Sequence, residues 1–478
     1  MKCISEYLTD DYHKWADRPY ISTKENGSWR SFTFEETVND ICALSRSLIA
    51  QGFHHKNIML CGENSREWIL LYLAVMGYVG TCVLVDKEWT AYDFQNTLSV
   101  LPVSAVFVSR SRMERFESLR ERFPDTCLFC IEDTLPALIA EGKILSSFLP
   151  LRGQTDMSRT TLILFTSGTT NMPKAIPLTQ ANLFANWDTL YRRTPMTDRD
   201  ISYVFLPFHH VYTGVANILY TIVSGMQLFL CSDLNRLIPE LMEVHPTVVC
   251  TVPLFLYKMY DAMNDDLLQV LKDIRFLYCG GSFTEPQIKK YFIRQGICLL
   301  EAYGTTETSS VIALAYPHDP DLAANGVVLE NLTVRILDPD ENGVGEIIVS
   351  GKSVSAGYLN RSDHYSDFDE TGSYHTGDLG ILAPDGHLYL KGRKKRMILT
   401  ANGKNIYVEE LEEMLLKNPQ IKTAAVFEEN HHPAASIVSD LPEENVQEYL
   451  AEINRNLPRY KQIRKLYLKP DTLGGRIK

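Results

Sequence analysis

Leu162-Ile163-Leu164-Phe165-Thr166-Ser167-Gly168-Thr169-Thr170-Asn171-Met172-Pro173-Lys174 is the stretch on which the rest of this chain turns. Its first half, apolar and rich in branched and aromatic side chains, predicts a buried strand. The strand empties into a loop of small hydroxyl residues and glycine that ends in Pro-Lys. Closely spaced backbone N–H groups, several hydroxyls and one ammonium equip such a loop to wrap a polyphosphate. It is not a Walker loop, because the Gly-x4-Gly-Lys-Ser/Thr spacing is missing. The later Gly351-Lys352-Ser353 is a decoy, with Glu346 where the leading glycine would stand.

Working outward, the segments before this strand alternate between helix and strand periods. Thr33 and Glu36 form a capping box opening a helix that runs to Gly52. Strands are predicted at Lys56–Cys61, near Cys82–Val85 and at Ala105–Ser109. The apolar run Ile69–Val85 is predicted to be a core helix leading into a buried strand, not a membrane span. This βα rhythm implies a doubly wound, mostly parallel sheet. It continues to about residue 320, and from about 325 to 390 short strands alternate with turns such as Asp338-Pro339-Asp340. An α/β tail follows Lys395, with helices near 408–417 and 443–457. The fold class is therefore α/β: a large N-terminal domain of doubly wound sheets with a small β-rich subdomain, then a small α+β C-terminal domain. The division is predicted as 1–394 and 395–478.

With 478 residues, 45% hydrophobic and 22% charged, the composition is that of a globular protein of several structural units. A net charge of -12 argues against nucleic acid or an anionic membrane as the partner. The basic run Lys391–Arg396 lacks aromatic interleaving and does not alter that. Met1–Glu6 lacks the order of a signal peptide, so a cytoplasmic protein is expected. Ten cysteines are scattered without a framework, and Cys127-x-x-Cys130 falls in a strand-like stretch, so buried thiols are expected. The His-His pairs at 54–55, 209–210 and 431–432 have no partners at metal-ligand spacing.

Four further strings carry chemistry. In Glu301-Ala302-Tyr303-Gly304-Thr305-Thr306-Glu307 a tyrosine can stack on a purine, a glycine admits close backbone approach, and a carboxylate can hold Mg²⁺. Tyr278-Cys279-Gly280-Gly281-Ser282 leaves room for a flat ring. In Tyr374-His375-Thr376-Gly377-Asp378-Leu379-Gly380 a carboxylate beside glycine can accept two ribose hydroxyls. The fourth is Gly392-Arg393-Lys394-Lys395, followed by Asn402-Gly403-Lys404-Asn405.

In this order and spacing, the set resembles the adenylate-forming superfamily of acyl-CoA synthetases, luciferases and peptide-synthetase adenylation domains. The resemblance runs from about residue 8 onward, and the wording around Gly392–Glu412 is most similar to bacterial fatty-acid and long-chain acyl-CoA synthetases. It implies an AMP-forming ligase that joins a carboxylic acid to the thiol of coenzyme A, using ATP and Mg²⁺. It further implies that Thr166, Ser167, Gly168, Thr169, Thr170 and Lys174 hold the ATP phosphates. Gly281, Ser282, Tyr303 and Gly304 would enclose adenine, with Asp378 and Arg393 on the ribose. Thr306 would touch phosphate and Glu307 would bind Mg²⁺. His210 would gate the carboxylate, Lys395 would be the hinge of a mobile C-terminal domain, and Gly403 would line the thiol tunnel. The acid is expected to be apolar, with walls from His210–Gly214, Val252–Phe255, Gly280–Phe283 and Ala302–Thr305.

The resemblance departs at Gly474-Gly475-Arg476-Ile477-Lys478, where Arg476 occupies the position of the family's catalytic lysine. A guanidinium is a planar fork and does not replace a compact ammonium atom for atom. Lys478, two residues on, shares a face with Arg476 if this segment is extended. Asn171 stands in for a phosphate-loop glycine and Val408 for a proline. Two alternatives stay open. The thiol could belong to the phosphopantetheine arm of an acyl carrier protein, or the chain could be a degenerate nucleotide- or acyl-binding protein.

Overall fold

The computed structural model describes residues 2–166, 173–359, 367–399, 405–429, 432–455, 457, 459 and 461–469. They form a mixed α/β protein that divides into two compact units. One comprises residues 1–333 and 349–374, the other 334–348 and 375–478.

In the first unit, six strands lie in the order Cys127–Cys130, Ala105–Val108, Asn57–Cys61, Thr81–Leu84, Thr160–Thr166, Lys174–Thr179. All are parallel except the last, which returns antiparallel from Thr160–Thr166. Strands buried on both faces need continuous apolar sequence, and Thr81–Leu84 and Ala105–Val108 are buried at every position. The helix Phe34–Ala50 begins where its capping box predicts. Thr33 Oγ1 accepts from Glu36 N at 3.1 Å and Glu36 Oε2 accepts from Thr33 N at 2.8 Å.

The Ile69–Val85 run becomes the helix Arg66–Ala74, a wide turn Val75–Val79, and the strand Thr81–Leu84. Gly80 is required between them, since a Cβ there would lie 2.0 Å from the Lys56 carbonyl oxygen. Among the described residues, no helix is long and apolar enough to cross a membrane.

A second, nine-stranded sheet of this unit holds the core parallel strands Leu299–Tyr303, Phe276–Gly280, Val248–Thr251, Ile201–Val204 and Gln227–Leu230, in that order. Pro19–Glu25 adds a further parallel strand beside Gln227–Leu230, and antiparallel strands lie at both edges of the sheet.

The β-rich stretch predicted at 325–390 forms a four-stranded sheet, Leu332–Leu337, Gly345–Gly351, Tyr374–Leu382 and Leu388–Arg393. Residues 334–348 and 375–393 thus share one sheet, and both stretches fall in the second unit. That unit also holds the helices Val408–Leu416 and Glu443–Arg455 packed on the sheet Ile421–Glu429, His432–Ser439 and Lys465–Leu468.

Candidate active site

Parallel strands collect functional loops at their carboxyl ends. In the nine-stranded sheet those ends deliver His209 and His210 after Ile201–Val204, Gly281 and Ser282 after Phe276–Gly280, and Gly304–Glu307 after Leu299–Tyr303. In the six-stranded sheet they deliver Asn64, Asp86 and Thr166.

The strands on either side of the phosphate-loop string, Thr160–Thr166 and Lys174–Thr179, pair antiparallel. Thr166 pairs across it with Lys174, so the loop's two ends are held one strand spacing apart. The Lys174 side chain is mostly buried, with its ammonium ion-paired to Asp367 and lying 4.8 Å from the Tyr358 ring centroid. Ser167, Gly168, Thr169 and Thr170 lie outside the described residues, as do Gly403, Arg476 and Lys478.

The Tyr303-to-Glu307 string is a tight reversal. Tyr303 ends its strand, and its carbonyl accepts from Ile312 N at 2.7 Å. Gly304 is compulsory for the chain itself, because a Cβ there would lie 1.7 Å from the Ser310 carbonyl oxygen. The crossing places Ser309 and Ser310 at φ of 59° and 110°, a strained conformation for residues with side chains. Asn186, fully buried, holds the reversal: its Nδ2 donates to Val311 O at 2.7 Å, and Ser309 Oγ donates to Ser353 O at 2.8 Å. Thr306 opens a short turn, and Glu307 sits buried within it. Among the described residues, the Glu307 side chain has one hydrogen-bond partner, the Tyr358 hydroxyl at 3.0 Å from its Oε1. An acceptor-only group, buried and engaged by one neutral donor, retains lone pairs for a cation, so this site fits a magnesium ligand.

Gly280 resembles Gly304 in purpose. A Cβ there would press within 2.7 Å of the Ala302 carbonyl oxygen. Gly281 adopts φ +79°, where a substituent would meet only Val252, and Ser282 is exposed beside it. Glycine is thus demanded at 280 by the neighbouring strand and at 281 by its own backbone.

The histidine loop is tied to the other sheet. Asn64 Nδ2 donates to Leu206 O at 2.8 Å and its Oδ1 accepts from Phe208 N at 3.0 Å. His209 Nε2 stands 3.6 Å from Asp86 Oδ2, beyond hydrogen-bond reach. Burial, reinforced by the neighbouring His210, pushes the His209 pKa down to about 4. Burial also lowers His210, with Asp86 opposing. Both rings are therefore neutral at pH 7, and each carries one N–H.

Asp378, Arg393 and Lys395 belong to the second unit. Asp378 and Arg393 face each other across adjacent strands, with Arg393 Nε 2.7 Å from Asp378 Oδ1. The buried carboxylate is thus fixed in place by the guanidinium beside it. Lys395 is exposed in the short turn that follows.

Asn64, Asn186, Tyr358 and Asp367 were not legible as site residues. Each acts on a partner far away in the sequence, and no local spacing marks it. Cys127 is exposed rather than buried, while Cys130 is buried.

The chain matches the AMP-binding enzyme family over residues 8–359. It is 25% identical to 2-succinylbenzoate–CoA ligase of Oceanobacillus iheyensis, covering 93% of this chain and 91% of that protein. It is also 25% identical to long-chain-fatty-acid–CoA ligase heimdall of Drosophila melanogaster, covering 87% of this chain and 72% of that one. Its fold is shared with O-succinylbenzoate coenzyme A synthetase of Bacillus subtilis, solved in complex with ATP and magnesium ion. The TM-score is 0.82 at 22% identity, over 97% of this chain and 95% of that one. The chain belongs to the AMP-binding enzyme family, and with it to the adenylate-forming superfamily as an AMP-forming acid–thiol ligase.

Proposed function

We propose that this ligase activates a carboxylic acid with ATP and passes the acyl group to coenzyme A. The observation that carries this reading is the meeting of Lys174 and Glu307, from distant parts of the sequence, through Asp367 and Tyr358. A cation and a cation-seeking carboxylate held on one hydrogen-bonded chain suit the two sides of a metal–triphosphate.

In the first half-reaction a carboxylate oxygen bonds to the α-phosphorus as the bond to pyrophosphate breaks. Two anions must approach, so charge neutralisation and alignment dominate the barrier. Lys174 and the hydroxyls from Thr166 to Thr170 would hold the phosphates, Thr306 would add a donor, and Glu307 would hold magnesium. Bound magnesium supplies positive charge to the triphosphate. Tyr303, Gly281 and Ser282 would border adenine, and Asp378, already oriented by Arg393, would accept the ribose hydroxyls. In the second half-reaction the thiol sulfur bonds to the acyl carbon, AMP leaves with the C–O electron pair, and the thiol proton passes to solvent. A hinge at Lys395, at the boundary expected from the sequence between 1–394 and 395–478, would exchange the two arrangements and bring Gly403 to the thiol path.

Coenzyme A is favoured over a carrier protein because the similar proteins are named as CoA ligases. Their acids differ, one a long-chain fatty acid and the other a succinylbenzoate. The apolar acid is therefore a proposal resting on the wall segments alone. Ten free thiols support a reducing, cytoplasmic location.

ATP–pyrophosphate exchange across fatty, aromatic, short polar and amino acids tests this reading. Exchange with one class, followed by thioester formation with free coenzyme A, supports it. Transfer only to a holo-acyl carrier protein would replace the acceptor. ATP binding with no exchange, in the native chain or in Arg476→Lys, would favour a degenerate nucleotide-binding protein.

A further inference from the structure

We propose that Glu346 is a positioning residue of the nucleotide site, bracing the ribose-gripping pair Asp378 and Arg393 from a neighbouring strand. This rests on the reading of Asp378 as the group that accepts the ribose hydroxyls.

Glu346 is the residue that breaks the Walker spacing ahead of Gly351-Lys352-Ser353. It lies on the strand Gly345–Gly351 and is only 7% exposed, so its carboxylate must find its partners inside the fold. Among the described residues, two groups bind it. Its Oε2 lies 2.6 Å from Lys394 Nζ, and its Oε1 accepts from Gly377 N at 3.3 Å. His375 Nδ1 stands 3.8 Å from Oε2, beyond hydrogen-bond reach. Gly377 is the residue before Asp378, and Lys394 is the residue after Arg393. One buried carboxylate therefore holds the chain beside both members of the pair. In the sheet, Tyr374–Leu382 lies between Gly345–Gly351 and Leu388–Arg393, so the Glu346 side chain reaches past one strand to the turn that follows the next.

The pair needs such a brace. The Arg393 side chain is 58% exposed, so burial does not set its direction. Asp378 follows a glycine at φ +68°, a position that no side chain of its own can lock. The turn between them is also laid on the Glu346 strand. Thr376 Oγ1 donates to Ile347 O at 2.8 Å and accepts from Asp378 N at 3.0 Å, while Arg393 Nη1 donates to Thr376 O at 3.3 Å. Thr376 fixes the turn through neutral acceptors, and Glu346 adds a charge-assisted anchor shared by both sides. An ammonium engaged by Glu346 does not compete with Arg393 for Asp378.

The test uses the full chain and needs no knowledge of the acid. Dissociation constants for ATP and for 2′,3′-dideoxy-ATP, each with saturating Mg²⁺, are measured by calorimetry. The proteins are the native chain, Glu346→Gln, Lys394→Ala and Asp378→Asn. The native protein should prefer ATP about tenfold or more, since a charged acceptor meets the hydroxyls. In Glu346→Gln that preference should fall about threefold to tenfold, the worth of one hydrogen bond, with dideoxy-ATP affinity changed less than about twofold. Lys394→Ala should lower the preference in the same direction by about twofold or more. A merely structural role would weaken both nucleotides alike. That result, or an unchanged preference in either variant, overturns the proposal. Should Glu346→Gln fail to fold, Lys394→Ala, which alters a half-exposed side chain, decides on its own. Asp378→Asn separates the layers. If it leaves the preference intact, the ribose reading fails and the bracing with it; if it abolishes the preference while Glu346→Gln does not lower it, only the bracing fails.

Discussion

Glu301 and Glu307 stand at the start and just past the end of one strand-to-turn string, and both are buried, yet they have opposite characters. Glu301 is closed: Lys289 Nζ lies 2.6 Å from its Oε2 and Asn325 Nδ2 donates to its Oε1 at 3.0 Å. Lys289 also donates to Ala324 O at 2.7 Å, so the Glu301 charge is neutralised by a buried cation and both of its oxygens are engaged within the fold. Among the described residues, Glu307 receives a single neutral donor, and Lys174, joined to it through Tyr358 and Asp367, is ion-paired to Asp367. Burial with full pairing marks a structural carboxylate, whereas burial with a spare acceptor marks one that awaits a partner.

Substitutions should pull the two apart. Lys289→Ala strands the Glu301 charge and should destabilise the fold by about 3–5 kcal/mol, read from denaturant unfolding, with ATP affinity of the folded protein unchanged. An equal loss of ATP affinity would break the contrast. Glu307→Gln should do the reverse. Pyrophosphate exchange should fall about 10²–10³-fold, while unfolding free energy moves less than about 1 kcal/mol.

A third kind of buried polar group sharpens the contrast through pH. His209 is held near pKa 4 against an ordinary 6.5, facing His210, Asp86 and Lys87. The unfolded chain then binds the extra proton between these values, so stability is full above about pH 6.5 and falls as pH drops toward 4. The loss is about 3 kcal/mol. His209→Gln should flatten that limb of the stability profile, and an unchanged limb would assign the acid sensitivity elsewhere. The smallest effect is expected for Asn64→Ala, about 1–3 kcal/mol of stability from two lost hydrogen bonds. The weaker binding of whichever acid proves to be the substrate should accompany it, with ATP affinity preserved.

The fold was readable wherever the determinants are local. The capping box at Thr33 and Glu36, the strands near 57–61, 81–84 and 105–108, and the helices at 408 and 443 all follow from short-range pattern. The hairpin return at Lys174–Thr179 was not foreseen, since an antiparallel partner carries no mark beyond its own residues. In the site, Lys174 and Glu307 stood out because their strings are distinctive. Tyr358 and Asp367 did not, because a hydroxyl between two carboxylates exists only once distant segments have met. Gly304 was legible as a close approach, but its neighbour proves to be the Ser310 carbonyl.

The grip of Asn64 on Leu206 and Phe208 has a consequence for inheritance. One carboxamide presents a donor and an acceptor side by side, as the edge of a strand does, and so serves as a strand one residue long. The loop it holds is owned by one sheet through the chain and by the other through this amide. Substitutions after Phe208 leave this tie, and the register of both sheets, untouched. A change in the length of the loop between Val204 and Phe208 would shift both of the amide's partners at once.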